Sequence, residues 1–203
     1  FPDQEHVGFM SIWPAFIRGV WFDNVIACYI LLIPLVAVSI SALFNYYGKI
    51  LWNVTCIFFS LFYGIVLLVT AANIPYFQYF FKIINSSVFN WFGYMNTTAG
   101  MVFGETSYYP PLIGFLLTLV LFIWLMRRLI RHFQRLLNTK NPSVFWLDRI
   151  YIFLTAGICI GLCLFGIRGR TGYNPIKVSA AYYCTDPFLN QLGISPVFNL
   201  LSS

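Results

Sequence analysis

Charge is what this sequence has least of. Only 9% of its 203 residues are Asp, Glu, Lys or Arg, against about 25% in an ordinary soluble domain. So few charges cannot cover a body exposed to water on all sides. With 60% of the residues hydrophobic and 20% aromatic, the composition excludes an ordinary soluble domain and predicts a polytopic membrane protein. Acids are the scarcest charges: Asp3, Glu5, Asp23, Glu105, Asp148 and Asp186 are scattered, and no group of them has metal-ligand spacing. The two histidines, His6 and His132, fall on opposite sides of the membrane in the topology argued below. There is no phosphate-binding glycine loop, no GxSxG and no HExxH. No apolar run carries an ionisable residue at its centre, which argues against a proton or ion pathway. No catalytic residue, metal ligand or cofactor site is therefore assigned to this chain.

Of the five cysteines, Cys28, Cys56, Cys159 and Cys163 lie in apolar runs, where the thiol acts as a small hydrophobe. Cys159 and Cys163 share a helix face but have no further ligand beside them. Cys184 stands in a more polar stretch without an evident disulfide partner. The chain opens on Phe1 rather than Met, which predicts a partial or processed chain, and its start shows no signal-peptide pattern.

What is abundant is long apolar sequence. Four runs approach the roughly 30 Å of a bilayer core at 1.5 Å per helical residue. They predict spans at 24–44, 50–72, 111–126 and 150–167. The fold class is thus all-α, a transmembrane helix bundle. Pro34 should kink the first span, and Asp23 should open it at the favourable helix end. In the fourth, Gly157 and Gly161 stand four apart, a spacing that lets helices approach closely. It predicts packing against helices of the same chain in preference to dimerisation.

The net charge is +6. The cations flank apolar runs, so membrane phospholipids and topology signals, and not nucleic acid, are the expected partners. Arg127, Arg128, Arg131, Arg135, Lys140 and Arg149 crowd between the third and fourth spans. The positive-inside rule places that link in the cytoplasm, and this reading suffices without a ligand there. The N-terminal segment, the 73–110 link and the C-terminal tail then face outside. Two of these outer segments are aromatic-rich, and 9–22 and 76–94 predict interfacial amphipathic helices. The outer cations are Arg18, Lys82, Arg168, Arg170 and Lys177. They could anchor by snorkelling, or they could hold a lipid phosphate, which suits guanidinium geometry.

The tail carries two start signals for short helices. Asp186 with Pro187 is one, stopped by Gly193, and Ser195 with Pro196 is the other. Phe188, Leu189 and Leu192 would form one apolar face, and Val197, Phe198 and Leu201 another.

Several stretches together resemble one family. They are Arg18-Gly-Val-Trp-Phe-Asp23 followed by Tyr29 and Pro34, the aromatics Tyr76, Phe77 and Phe80, Gly166-Ile-Arg-Gly-Arg170, Tyr173-Asn-Pro-Ile176, Ala180-Ala-Tyr-Tyr183, Pro187-Phe-Leu-Asn190 and Ser195-Pro-Val-Phe-Asn-Leu-Leu201. In this order the chain from about residue 16 to 203 resembles the membrane region of the lipoteichoic acid synthase family. That family comprises sulfatase-like phosphoglycerol and phosphoethanolamine transferases. The resemblance implies a bacterial cytoplasmic membrane location with the C-terminus outside, and a fifth span before Phe1. It also implies division into a membrane domain, 1–183, and a linker, 184–203, leading to an extracellular catalytic domain of the alkaline phosphatase superfamily. That domain would hold a divalent metal and a Thr nucleophile, and none of its catalytic residues has a counterpart here. Pro75 departs from the pattern, where an acid is expected. The implied function is to anchor and position a lipid headgroup phosphotransferase. The alternative is a stand-alone lipid-binding or scaffolding membrane protein without enzyme activity.

Overall fold

The computed structural model describes residues 9–44, 46, 48–94, 100, 104, 106–138, 146–170 and 174–203. Readings placed on Asp3, Glu5, His6, Glu105, Lys140 and Tyr173 lie outside these residues. Among the described residues there is no strand. Four long helices are α1 (Phe9–Leu43), α2 (Lys49–Phe80), α3 (Tyr109–Asn138) and α4 (Trp146–Arg168). All four are long and apolar enough to cross a membrane, so the protein is a multi-pass membrane protein. Two short helices close the chain, α5 (Pro187–Leu192) and α6 (Pro196–Ser202), and 3-10 turns occupy Ser86–Tyr94, Thr106–Tyr108 and Val178–Ala181.

The helices run past the expected spans. α1 has 35 residues and α2 has 32, about 52 and 48 Å at the α-helical rise. The expected interfacial helix at 9–22 is therefore one helix with the first span. Nothing between Val20 and Asn24 breaks the backbone, and a helix that is already nucleated extends at little cost. Asp23 consequently lies inside α1 and does not open it. The stretch 76–94 is not one helix either: α2 continues through Pro75 to Phe80, and a 3-10 turn starts at Ser86. Phe81 ends α2 in a left-handed conformation, φ 53°, with its N–H on the Phe77 carbonyl at 2.9 Å. The Arg-rich link is also helical as far as Asn138, since 127–138 holds good helix formers and neither Gly nor Pro.

The chain divides into two compact units. One consists of Ala27–Leu68 and Gly114–Ile167. Here the aromatics of α2 stack along the helix, Phe58 on Phe62 at 4.4 Å, and Tyr63 meets Phe122 of α3 at 5.1 Å. Hydroxyls at span depth bond back into their own helix, Thr118 to the Gly114 carbonyl at 2.8 Å and Thr155 to that of Tyr151 at 2.7 Å. Gly157 and Gly161 do not make the expected packing. Both are exposed, and a Cβ on either would meet nothing within 4 Å. The least exposed row of α4 runs one residue round, through Ile152, Ala156, Ile160, Cys163 and Ile167, and of these five only Cys163 is buried. These positions repeat every three or four residues, as a helix face requires. Cys163 lies in that row, whereas Cys159 is exposed.

The other unit gathers Phe1–Ile26, Val69–Ile113 and Arg168–Ser203. The described parts of the N-terminal segment, the long link and the tail, expected to share one side, thus belong together. Its core is Phe22, Val25, Ile83, Ile176, Ala181 and Ile194, with Phe77, Val178, Ala180 and Phe198 packed against it. The tail forms as its start signals predict: Asp186 caps α5 by accepting the Phe188 N–H at 2.8 Å, and Pro187 fills the first turn. Gly193 differs from expectation. It is right-handed, φ −80°, and its use is closeness: a Cβ there would lie 3.4 Å from the Ala15 carbonyl oxygen. The two expected apolar faces are only partly covered. Leu189 and Val197 are buried and Phe198 packs on Phe22 at 4.7 Å, but Phe188, Leu192 and Leu201 stay exposed. Short helices abutting α1 through a glycine turn one narrow row inward, not a full face.

Asn190 holds the turn that leads into α5. Its Oδ1 accepts the N–H groups of Tyr183 (2.9 Å) and Cys184 (3.2 Å), and its Nδ2 donates to the Cys184 carbonyl at 2.7 Å. The residue is buried, so Asn190→Ala strands three backbone groups and is expected to cost about 2 kcal/mol. Thermal unfolding of the detergent-solubilised protein measures this. A variant that melts with the wild type removes the amide from the account.

Candidate lipid-headgroup site

The five cations expected on the outer face arrive on three separate stretches of chain, all in the second unit described above. α1 brings Arg18. The segment after α2 brings Lys82, beside the core residue Ile83. The end of α4 and the strap that follows bring Arg168, Arg170 and Lys177. That strap is pinned at both ends. The Ile176 N–H bonds the Arg168 carbonyl at 3.1 Å, and Arg18 Nε bonds the Ala180 carbonyl at 3.2 Å. Gly169, between Arg168 and Arg170, has φ +68° and turns the chain sharply out of α4. Lys82 and Lys177 are thus each next to a residue fixed in the core, Ile83 and Ile176.

The five differ in what they can offer a ligand. Lys82, Arg170 and Lys177 are exposed. Arg168 ends α4, is exposed, and has interactions within the chain. Arg18 is half-buried and engaged. Besides Ala180 it bonds the Pro14 carbonyl at 3.4 Å, and its guanidinium carbon lies 4.4 Å from the centre of the Tyr183 ring. Burial and the adjacent Cys184 push the Tyr183 phenol above its ordinary value, partly opposed by Arg18. The ring under Arg18 is therefore neutral at physiological pH, and the pair is a cation–π contact. Arg18 clamps the strap to α1.

The chain matches no protein-family model, no curated protein and no solved structure.

Three amides that sequence reasoning passed over complete the site. The segment between Phe80 and Ser86 is irregular, and its buried Ile84 needs partners for both backbone groups. Asn73 Oδ1 accepts the Ile84 N–H at 3.0 Å, and Asn199 Nδ2 donates to the Ile84 carbonyl at 2.9 Å. Asn190 does the same for the 183–184 turn. The only hint in the sequence is polarity out of place: asparagines inside otherwise apolar helical stretches. The Ser86 N–H also bonds Ser203 Oγ at 2.9 Å, so the segment carrying Lys82 is tied to the last helix. Among the described residues, no three His, Cys, Asp or Glu side chains stand close enough to hold a metal.

Positive charge and hydrogen-bond donors are what a phosphate accepts. The exposed guanidinium of Arg170 and the ammonium groups of Lys82 and Lys177 supply donors. The site's own backbone is held by Arg18, Asn73, Asn190 and Asn199.

Proposed function

We propose that this chain is the membrane domain of a lipid headgroup phosphotransferase. It anchors an extracellular sulfatase-like catalytic domain and presents a phospholipid to it, so that a phosphoglycerol or phosphoethanolamine group passes to a cell-envelope acceptor. In this reading the intact domain has a fifth span, and the aromatic-rich ends of α1 and α2 lie at the outer interface of a bacterial cytoplasmic membrane. Arg168, Arg170, Lys82 and Lys177 contact the headgroup, while Arg18 positions the strap that carries them. The divalent metal and the nucleophile belong to the catalytic domain.

One observation carries the reading: the chain segments that bear the exposed cations and the terminal helix pair share a core. Gly193 abuts Ala15, Phe198 packs on Phe22, and Asn199 and Ser203 grip the segment after α2. A headgroup held by these cations would therefore keep a fixed position relative to α6. That is what a separate catalytic domain needs if it is to meet a lipid at constant height.

Two measurements test it. Sequencing the gene beyond Ser203 is expected to find several hundred codons of sulfatase-like sequence, and a stop codon there leaves the scaffold alternative. In the full-length protein, Arg168→Ala with Arg170→Ala should lower lipid turnover about tenfold, the equivalent of one charge-assisted phosphate contact at about 1.4 kcal/mol. Hydrolysis of a small soluble phosphodiester should be unchanged. Wild-type lipid turnover in that double variant removes the headgroup role.

A further inference from the structure

The helical state of the Arg-rich segment has a consequence beyond orientation. A topology signal needs cations near the end of a span and is indifferent to which way they point. In α3 they all point one way. At about 100° per residue, Arg127, Arg131, Arg135, Arg128 and His132 fall within about 140° of one another. All five side chains are exposed. Met126, Leu129, Ile130 and Phe133 occupy the opposite arc, and Ile130 is buried. No acid occurs between Glu105 and Asp148, so nothing on this helix neutralises the stripe.

The depth of the stripe identifies its occupant. The residues from Tyr109 to Met126 span about 27 Å of helix, close to the thickness of a bilayer core. Arg127 therefore stands where the hydrocarbon ends, and Arg135 lies about 12 Å further along the axis. The stripe crosses the headgroup layer. Trp124, the residue type favoured at that boundary, lies under the middle of the arc, with the Arg128 guanidinium 5.3 Å from its ring. Arg131 Nε donates to the Arg127 carbonyl at 3.2 Å, and the side chain is exposed. A planar guanidinium donates two parallel hydrogen bonds to phosphate oxygens.

We infer that the basic face of α3 is a binding site for anionic phospholipid head groups in the leaflet at the Arg127–Arg135 end of the helix. The site lies at the end of the span remote from Tyr109 and is independent of the proposed transferase role. The lipid phosphates lie along the arc formed by Arg127, Arg128, Arg131 and Arg135, and Trp124 marks its apolar edge.

The test uses the full chain purified in mixed phosphatidylcholine–phosphatidylglycerol micelles, with retained lipids counted by native mass spectrometry. Wild type should retain phosphatidylglycerol in preference. The variant R127Q/R128Q/R131Q/R135Q should lose that preference at least tenfold, since each basic residue at a membrane surface contributes about fivefold. Should the quadruple variant fail to insert, R131Q/R135Q keeps the two cations nearest the span and is expected to lose at least fivefold. The control K49Q removes an exposed cation at the start of α2, away from the stripe, and should retain most of the preference. Wild-type retention by both the quadruple and the R131Q/R135Q variant overturns the inference, as does complete loss in K49Q. Displacement of the lipid by millimolar inorganic phosphate also overturns it, because the face would then be a soluble-anion site.

Discussion

Phe22→Ala is expected to destabilise the protein by about 3–5 kcal/mol, the range for removing a fully enclosed ring. Phe22 is 0% exposed and lies 4.7 Å from the ring of Phe198. It comes from α1, and its neighbours in the core come from the segment after α2, the strap after α4, and the end of the chain. Removing it leaves a cavity at the junction of all four. Because the ring is surrounded by protein, the loss is one of packing contacts, which water or lipid cannot restore without entering the core. The measurement is denaturant or thermal unfolding of the solubilised protein, together with limited proteolysis of residues 184–203. Cleavage of the tail should accelerate before the spans come apart. A double-mutant cycle with Phe198→Ala should show coupling, because the two rings share one cavity. Additive losses in that cycle sink the assignment of Phe22 as the residue that holds the tail.

Gly169→Ala is expected to cost about 3 kcal/mol. The backbone at Gly169 has φ +68°, where an L side chain costs about 1–2 kcal/mol. A Cβ there would also lie 2.7 Å from Ile176 Cγ2 and 3.0 Å from Val25 Cγ2, and overpacking of that kind adds about 1–3 kcal/mol. Both neighbours belong to the buried core, so neither can move aside cheaply. The contrast is Gly157→Ala, which adds the same atom in open space on α4. There the better helix propensity of alanine makes the change neutral or stabilising by up to about 1 kcal/mol. If the two variants melt alike, the turn after α4 is not held as described. Since Gly169 separates Arg168 from Arg170, its substitution should also disturb whatever those two bind.

The spans were legible in the sequence because a bilayer imposes a long, continuous apolar signal. The starts of α5 and α6 at Asp186 and Ser195 were legible because the residue that precedes a short helix sits beside it, although only Asp186 closes a side-chain cap and the buried Ser195 hydroxyl makes no such bond. Where helices continue was less legible. The change from span to interfacial aromatics at Asp23 looks like a boundary, yet composition can change along a helix without breaking it. Gly157 and Gly161 gave the right kind of signal on the wrong row, because spacing fixes a face but does not say which face meets a neighbour. Arg18 read as either a snorkelling anchor or a phosphate ligand, and it is bonded to a carbonyl 162 residues away. Asn199 reaches across 115 residues and Asn73 across 11. Such bonds leave no local pattern, since they depend on which distant backbone groups the fold leaves without partners.

The backbone of Ile84 is held from one side by α2, through Asn73, and from the other by α6, through Asn199. Ser203, at the tip of α6, is hydrogen-bonded to Ser86. In mechanical terms these residues form a short linkage. A pull on α6 loads the Ile84 carbonyl, passes through the Ile84 Cα to its N–H, and arrives on Asn73 within α2. Tension from outside the bilayer would thus reach a membrane span across two side-chain amides, without first unravelling the core around Phe22.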